Sequence, residues 1–562
     1  MKKIYLAIAL MLPALGAGAQ DMYYAWMLSH SNYYGTARTT ALGNAVTALG
    51  GDTGMITVNP AASAVAGYSQ ITLTPGLVIS STSTAFSPDG SDAGLGNPYG
   101  LKHGRVILPN VALSFTAETG RRTGVVAYSF GLMSNTTNVF DSYSTGLGTN
   151  PYTSFLGSLA AGAKGMSSFS AYSSLYAAFN ANQFGEYGHT GSRIFAGSNE
   201  RIDPSDTYSY VPAPLKQTAI YNNYGSKYDF VFNFGMNISD KLFLGVNLGL
   251  PMVKYRRYEY FHESIGDNPP ELFPVIFEYG KSGATTKVQT YYLSSSDAYR
   301  LNTDVTGIYG RFGFIYTPAS GFRIGAAIQT PSVFKVKEEW QYSAATSFAD
   351  SRFDGSSKSY SDSFSYRLRT PYVFTAGIAS ALGSAVLLSV DYELTDYSVM
   401  RYGDKNTDFD NNGWMETNDC IRTFLGVSHS VRAGLEVKPI PSLALRCGYS
   451  FISDPEKFYR DDIDNVVTAS NWKGMHQLLL SGGHFNRCTH GFSLGVGYSS
   501  PGAFFADFAA RFTKYPESWY SPYWYGSYDA VDADAVPVPA LAPIERIERN
   551  TVDLILTLGL RF

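Results

Sequence analysis

The closing residues of the chain sort onto two faces. Val552, Leu554, Leu556, Leu558, Leu560 and Phe562 share one, while Thr551, Asp553, Thr557, Gly559 and Arg561 share the other, with Ile555 the exception. A side-chain repeat of two is that of a β-strand. The pattern returns at Leu242, Leu244, Val246, Leu248 and Leu250 against Lys241, Gly245 and Asn247, and at Phe322, Ile324, Ala326 and Ile328 against Arg323, Gly325 and Gln329. It returns again at Val386, Leu388, Val390, Tyr392 and Leu394 against Ser389, Asp391 and Glu393, and at Phe504, Phe508 and Phe512 against Asp507 and Arg511. Beyond the first 20 residues no apolar run approaches the roughly 18 residues that a spanning helix needs. Charged residues make up only 16% of the chain and aromatic ones 15%, so the surface is short of charge. A chain of this kind can still cross a bilayer as a closed barrel, in which lipid-facing and lumen-facing residues alternate.

A soluble β-sandwich also alternates, so the punctuation between strands has to decide. Short turns at Asn237–Lys241, Thr317–Gly321 and Lys438–Ser442 take turns with long, polar, aromatic-rich connections near 135–225, 262–300, 340–360, 398–425 and 515–548. Short turns on one rim and long loops on the other are the outer-membrane arrangement. The fold class expected is therefore all-β, a transmembrane antiparallel β-barrel in the bacterial outer membrane. Counting runs from near Tyr68 gives roughly fifteen or sixteen strands, where a bacterial barrel normally closes with an even number. One or two runs must therefore be loop hairpins, and the candidates are Lys287–Ser294 and His476–Phe485.

Residues 1–19 read as an export signal: Lys2 and Lys3, an apolar stretch from Ile4 to Leu15, and small residues at Ala17, Gly18 and Ala19 before Gln20. Cys420, Cys447 and Cys488 are too widely spaced for a metal pair and form no disulfide framework. Lys and Arg number 42 against 46 Asp and Glu, a formal charge of -4, which leaves no basic field to recruit nucleic acid. Residues 20–66 show no alternation. They contain Gly35, Gly43, Gly50 and Asp52, and then Asn59-Pro60-Ala61, small residues and a turn that suit a compact folded segment. Residues 67–562 form the barrel, and the segment before them is placed as its plug.

This segment resembles the N-terminal hatch of the FadL family of outer-membrane transporters for long-chain fatty acids and aromatic hydrocarbons, which ends in a similar Asn-Pro-Ala. The likeness continues at Asp391–Ser398, at Gly325–Pro331 and at Leu445–Tyr449, and so runs along almost the whole mature chain. It implies fourteen strands and a third strand that bends inward to open the wall sideways. The nearest match to that bend is Phe130-Gly131-Leu132, where glycine lacks a side chain to resist it.

A hydrophobic cargo needs an apolar catch on the outside. Phe155, Leu159, Met166, Phe169, Tyr172, Leu175 and Phe179 recur at roughly helical spacing in the 135–225 loop and supply such a face. A carboxylate headgroup would want a cation in a low-dielectric lumen, and the candidates are Arg323, Arg446, Lys254 and Arg256. Their other reading is a lattice of salt bridges with Asp391, Glu393 or Asp507. Asp408, Asp410, Asn412, Glu416 and Asp419 match calcium-loop spacing, with Asp in place of the closing Glu, so a structural Ca2+ is the one cofactor to test. No nucleophile or metalloprotease motif is present, and no catalytic residue is assigned. The reading is of a monomeric, non-enzymatic, hatch-gated barrel that carries hydrophobic small molecules, above all long-chain fatty acids, among outer-membrane lipid and lipopolysaccharide. The competing reading is an adhesin or structural barrel whose external loops bind partners.

Overall fold

The computed structural model describes residues 22–90, 92–187, 194–202, 209–279, 286–383, 385–404, 413–456, 488–523 and 543–562. The export signal at 1–19 and the run His476–Phe485 lie outside these residues. Fourteen antiparallel staves close into a barrel. They are β1 (Gln70–Ser87), β2 (Tyr99–Glu118), β3 (Val125–Val139, continuing as Ser142–Asn150), β4 (Leu215–Ile238), β5 (Leu242–Ser264) and β6 (Thr286–Ala319). Next come β7 (Phe322–Gln329 and Val333–Phe348), β8 (Asp362–Arg369 and Val373–Leu382), β9 (Val386–Asp396 and Arg401–Asp404) and β10 (Val427–Ile440). The circuit ends with β11 (Leu443–Ile452), β12 (Thr489–Ser499), β13 (Phe504–Lys514) and β14 (Ile544–Arg561), and β14 pairs with β1 from Gln70↔Arg561 to Ser87↔Ile544. No helix among the described residues is long and apolar enough to cross a membrane.

The wall is apolar outside and charged inside. Leu73, Phe115, Phe232, Leu248, Phe312, Ile378, Val390, Leu445, Phe492 and Leu558 are exposed on its outer face, while Arg432, Glu436, Arg446, Asp507, Arg511 and Asp553 are buried within. That inversion identifies a wall facing lipid, since water outside would solvate the charges and bury the rings. Ile555 breaks the terminal alternation because it faces inward onto plug residues Tyr34, Ala37 and Ala41. Lys287–Ser294 is a loop hairpin and not a wall strand of its own: it is the outer end of β6, which overhangs the rim and pairs antiparallel with Pro274–Tyr279. The 135–225 connection is likewise shorter than expected, because β3 runs on to Asn150 and β4 starts at Leu215.

Residues 22–66 fill the lumen. Helix α1 (Met22–Ser29) packs high in the barrel against an aromatic lining that includes Tyr255, Phe334, Trp340, Tyr366, Tyr402 and Trp414. Below it, α2 (Ala37–Ala41), a 3-10 turn (Thr53–Thr57) and α3 (Ala62–Val65) form the tightly packed lower plug.

Candidate functional site

The lower plug is fixed to the wall from several sides. Asn59 donates to the Thr47 carbonyl (2.7 Å) and to the Phe314 carbonyl of β6 (3.0 Å), and its Oδ1 accepts from Ala61 N–H (3.1 Å). The Pro60 carbonyl accepts from Asn233 of β4 (3.0 Å). Asp52 accepts from Thr36 Oγ1 (2.7 Å) and Gly54 N–H (2.8 Å), capping the 3-10 turn. Gly35 and Gly43 hold φ of +54° and +62°, in the left-handed region where a side chain is strained, and a Cβ at Gly50 would overlap Val65.

The wall makes room by glycine. Gly245 of β5, Gly313 of β6, Gly325 of β7, Gly434 of β10, Gly448 of β11 and Gly495 of β12 each point a bare Cα at the plug, at Pro60, Asn59, Thr47, Leu42, Gly43 and Ala41 in turn. Around them the charges close on one another. Arg446 pairs with Glu436 (2.7 Å) and Asp507, Arg38 of the plug reaches Glu436 (3.0 Å), and Arg511 pairs with Asp553 (2.8 Å).

Above the plug the ladder between β2 and β3 ends. β2 and β3 pair only from Asn110↔Asn135 to Glu118↔Ala127, and beyond Asn110 the residues Tyr99–Ile107 pair with β1 alone. The β3 ladder against β4 is irregular between Thr136 and Asn138 and again around Phe140 and Asp141, but it resumes from Ser142↔Asn223 to Asn150↔Leu215, so the outer part of β3 keeps β4 and loses β2. That outer part, Ser142–Asn150, crosses the inner face of β1 and β14. There Thr82 donates to the Tyr143 carbonyl, and the Glu545 and Phe86 side chains lie where Gly146 and Gly148 lack a Cβ. The gap so left faces the lipid, and on its edge Val106 is 77% exposed, the most exposed large apolar side chain described.

The bend expected at Phe130-Gly131-Leu132 is not there. Gly131 pairs regularly with Ser114 and with Asn233, and the neighbouring side chains of Asn233 and Met133 already fill the space beside it. The irregularity lies further along, where β3 detours at Phe140 and Asp141 around Gly225 of β4 before pairing with it again from Ser142↔Asn223. Gly225 holds φ of +132°, and a Cβ on it would overlap the Lys254 carbonyl. Its N–H donates to Asp141 (3.1 Å), and its carbonyl accepts from Phe140 N–H (3.0 Å). Alternation alone carries no sign of this, because the detour depends on a glycine far along the chain.

The candidate catch is two helices, α4 (Phe155–Ala163) and α5 (Ser174–Asn180), instead of one. Leu159 is buried, Leu175 is partly buried, Phe155 packs on Phe261 (ring centroids 4.8 Å apart), and Phe169 packs on Phe179 (5.3 Å) and Phe184 (5.6 Å). Met166, Tyr172 and Phe179 remain exposed, with Tyr360 against Tyr172 (5.9 Å).

Of the headgroup candidates, Arg446 belongs to the charge lattice and Arg323 lies low on β7 opposite Ala379 of β8. Lys254 and Arg256 alternate with the buried Val253 and Tyr255 and so point outward, Arg256 pairing with Asp304 (3.0 Å). They cannot meet a headgroup in the lumen.

Asp408, Asp410 and Asn412 of the calcium-like spacing lie outside the described residues. Glu416 and Asp419 sit on α6 (Met415–Phe424), where Asp419 is engaged by Arg422 (2.6 Å). Among the described residues no three metal-ligating side chains come together.

The lumen also holds a small polar cavity of about 30 Å³, lined by His30, Tyr33, Lys227, Asp229, Glu393 and Tyr397 among others. Lys227 Nζ donates to the carbonyls of Leu28, Ser29 and His30 at 3.2, 3.2 and 3.3 Å, a cation at the C-terminal end of α1 where the helix dipole favours it.

No protein-family profile matches this sequence, and no curated protein matches it. Solved structures do. A FadL homologue of Pseudomonas aeruginosa is 10% identical with a TM-score of 0.50, covering 95% of this chain and 99% of that one. The P. putida toluene transporter TodX is 12% identical with a TM-score of 0.45 and the same coverage. The Ralstonia pickettii toluene transporter TbuX is 13% identical with a TM-score of 0.41, over 95% of this chain and 99% of that one. At such identity the likeness to the first of these is one of fold: the chain has the FadL-type fold, a barrel with its N-terminal segment as a plug.

Proposed function

We propose that this FadL-type barrel works as a monomeric, non-enzymatic conduit for hydrophobic small molecules. Cargo settles on the exposed apolar side chains of Met166, Tyr172 and Phe179, enters the aromatic upper lumen, and leaves sideways into the membrane. Long-chain fatty acids are the cargo we favour. The observation that carries the reading is the wall gap between β2 and β3, standing above a plug fixed too closely to the wall to let cargo pass beneath. An apolar molecule stopped by the plug then has a route to lipid that exposes it to little water. The FadL homologue whose fold this chain shares supports the cargo class.

The test is to purify the protein from outer membranes in mild detergent and identify co-purifying small molecules by mass spectrometry. Uptake of a dansyl-labelled long-chain fatty acid is measured alongside, in cells lacking their own transporter. Retained fatty acids or aromatics, with uptake reduced severalfold by Met166→Ser, Tyr172→Ser and Phe179→Ser combined, are expected. A folded protein that comes out empty and takes up no probe overturns the reading in favour of loop-mediated adhesion.

A further inference from the structure

The gap between β2 and β3 is crossed by side chains instead of a backbone ladder. Arg105, on the inner face of β2, pairs through Nη1 with Asp141 Oδ1 of β3 at 2.7 Å and also donates to the Gly225 carbonyl at 3.1 Å. One strand position away along the same face, His103 lies against Tyr143 with ring centroids 4.2 Å apart. Behind them Arg549 of β14 donates to the Asp141 carbonyl at 2.9 Å. The two partners of the ion pair are unequally covered. The Asp141 side chain is 1% exposed and that of Arg105 30%, and Asp141 Oδ2 has no hydrogen-bond partner among the described residues.

We propose that Arg105 and Asp141, seconded by His103 and Tyr143, form a clasp that holds the lateral gap closed, and that its release sets how fast cargo leaves the barrel. Where two strands share a ladder, separating them breaks many coupled hydrogen bonds. Where they share one ion pair and one ring contact, both made by side chains, separation needs only rotamer changes and is open to a passing molecule. The partly exposed guanidinium is the partner able to leave, because water can take it up, whereas Asp141 stays held by Gly225 N–H. Arg105 is therefore a positioning residue for the exit. This inference rests on the transport reading above, and its test separates the two.

Spin labels are placed at Lys102→Cys on β2 and Leu147→Cys on β3, with Cys420, Cys447 and Cys488 changed to Ser, and the distance between them is measured by pulsed electron resonance. One narrow distance is expected in the parent, a broader and longer distribution in Arg105→Ala, and a return to the narrow one in Arg105→Lys. Unchanged distances in Arg105→Ala, with the barrel still heat-modifiable on a gel, overturn the clasp whatever the protein transports.

The second arm reads uptake of the dansyl-labelled fatty acid. Arg105→Ala raises the rate severalfold. His103→Cys/Tyr143→Cys, joined by a short reducible bis-thiol reagent, loses at least tenfold and recovers on reduction. Joined protein that transports like the unjoined also overturns the clasp. Distances that respond as expected, in a protein that takes up no probe, uphold the clasp and sink the transport reading.

Discussion

Asp391 on β9 ties the wall to Thr47 of the plug: its Oδ2 accepts the Thr47 N–H and the Thr47 hydroxyl, both at 2.7 Å, and the Val46 N–H at 2.6 Å. The neighbouring staves meet the plug with glycine, whereas β9 meets it with a carboxylate. Hydrogen bonds to a charged group contribute about 1.5–3 kcal/mol each. In Asp391→Ala the peptides covering 40–60 should therefore exchange amide hydrogens at least tenfold faster, while the strands keep their protection. Equal exchange in the two proteins would show that packing alone retains the plug.

The glycine belt predicts a steric cost confined to one face. A Cβ at Gly448 would overlap Gly43 N and the Leu42 carbonyl carbon, whereas one at Gly383 meets nothing within 4 Å. Overpacking of this kind costs about 1–3 kcal/mol. Gly448→Val should lower the temperature at which the folded barrel is lost on a gel and admit small polar antibiotics past a displaced plug. Gly383 has a φ of +66°, so the fairer control is Gly162→Ala, which also meets nothing within 4 Å and should leave both readouts unchanged.

Gly225 joins the β3 detour to the wall. Its φ of +132° disfavours any side chain, and the Lys254 carbonyl occupies the space a Cβ would need. Gly225→Val should cost about 1–3 kcal/mol through backbone strain and collision together. It should also disturb the separation of Lys102 from Leu147 even with Arg105 intact, measured with the same spin labels.

His30 gives the plug a pH dependence. It stands at the end of α1, 3.3 Å from the Tyr397 hydroxyl, and burial first and the Lys227 ammonium second push its imidazole down from 6.5 to about 4. Glu393 pulls the other way and Arg432 adds to the lowering. The unfolded segment thus binds a proton at a higher pH than the folded one. Its contribution is complete above about 6.5 and is lost as pH falls towards 4. Amide exchange of the 22–34 peptides should accelerate at pH 5 relative to His30→Gln at the same pH. Identical acceleration in both proteins would assign the effect to other groups.

Alternation determined the class of this protein because it is a local property: Leu558 and Gly559 take opposite faces whatever the rest of the chain does. Even the glycines at Gly245 and Gly325 were legible as lumen-facing, though not as the seats of Pro60 and Thr47. The hatch segment was legible as compact from its small residues and its Asn59-Pro60 turn. What the tertiary structure decided is everything that depends on two distant stretches meeting. Arg105 and Asp141 lie 36 positions apart, and Asp141 and Gly225 84. Neither pair leaves a periodic trace, because the register between β2, β3 and β4 selects the partners. The same applies to the bend, which local glycine placed at Gly131 and long-range pairing placed at Phe140 and Asp141. Facing follows from a repeat of two, but a gap follows from hydrogen bonds that two particular strands do not make.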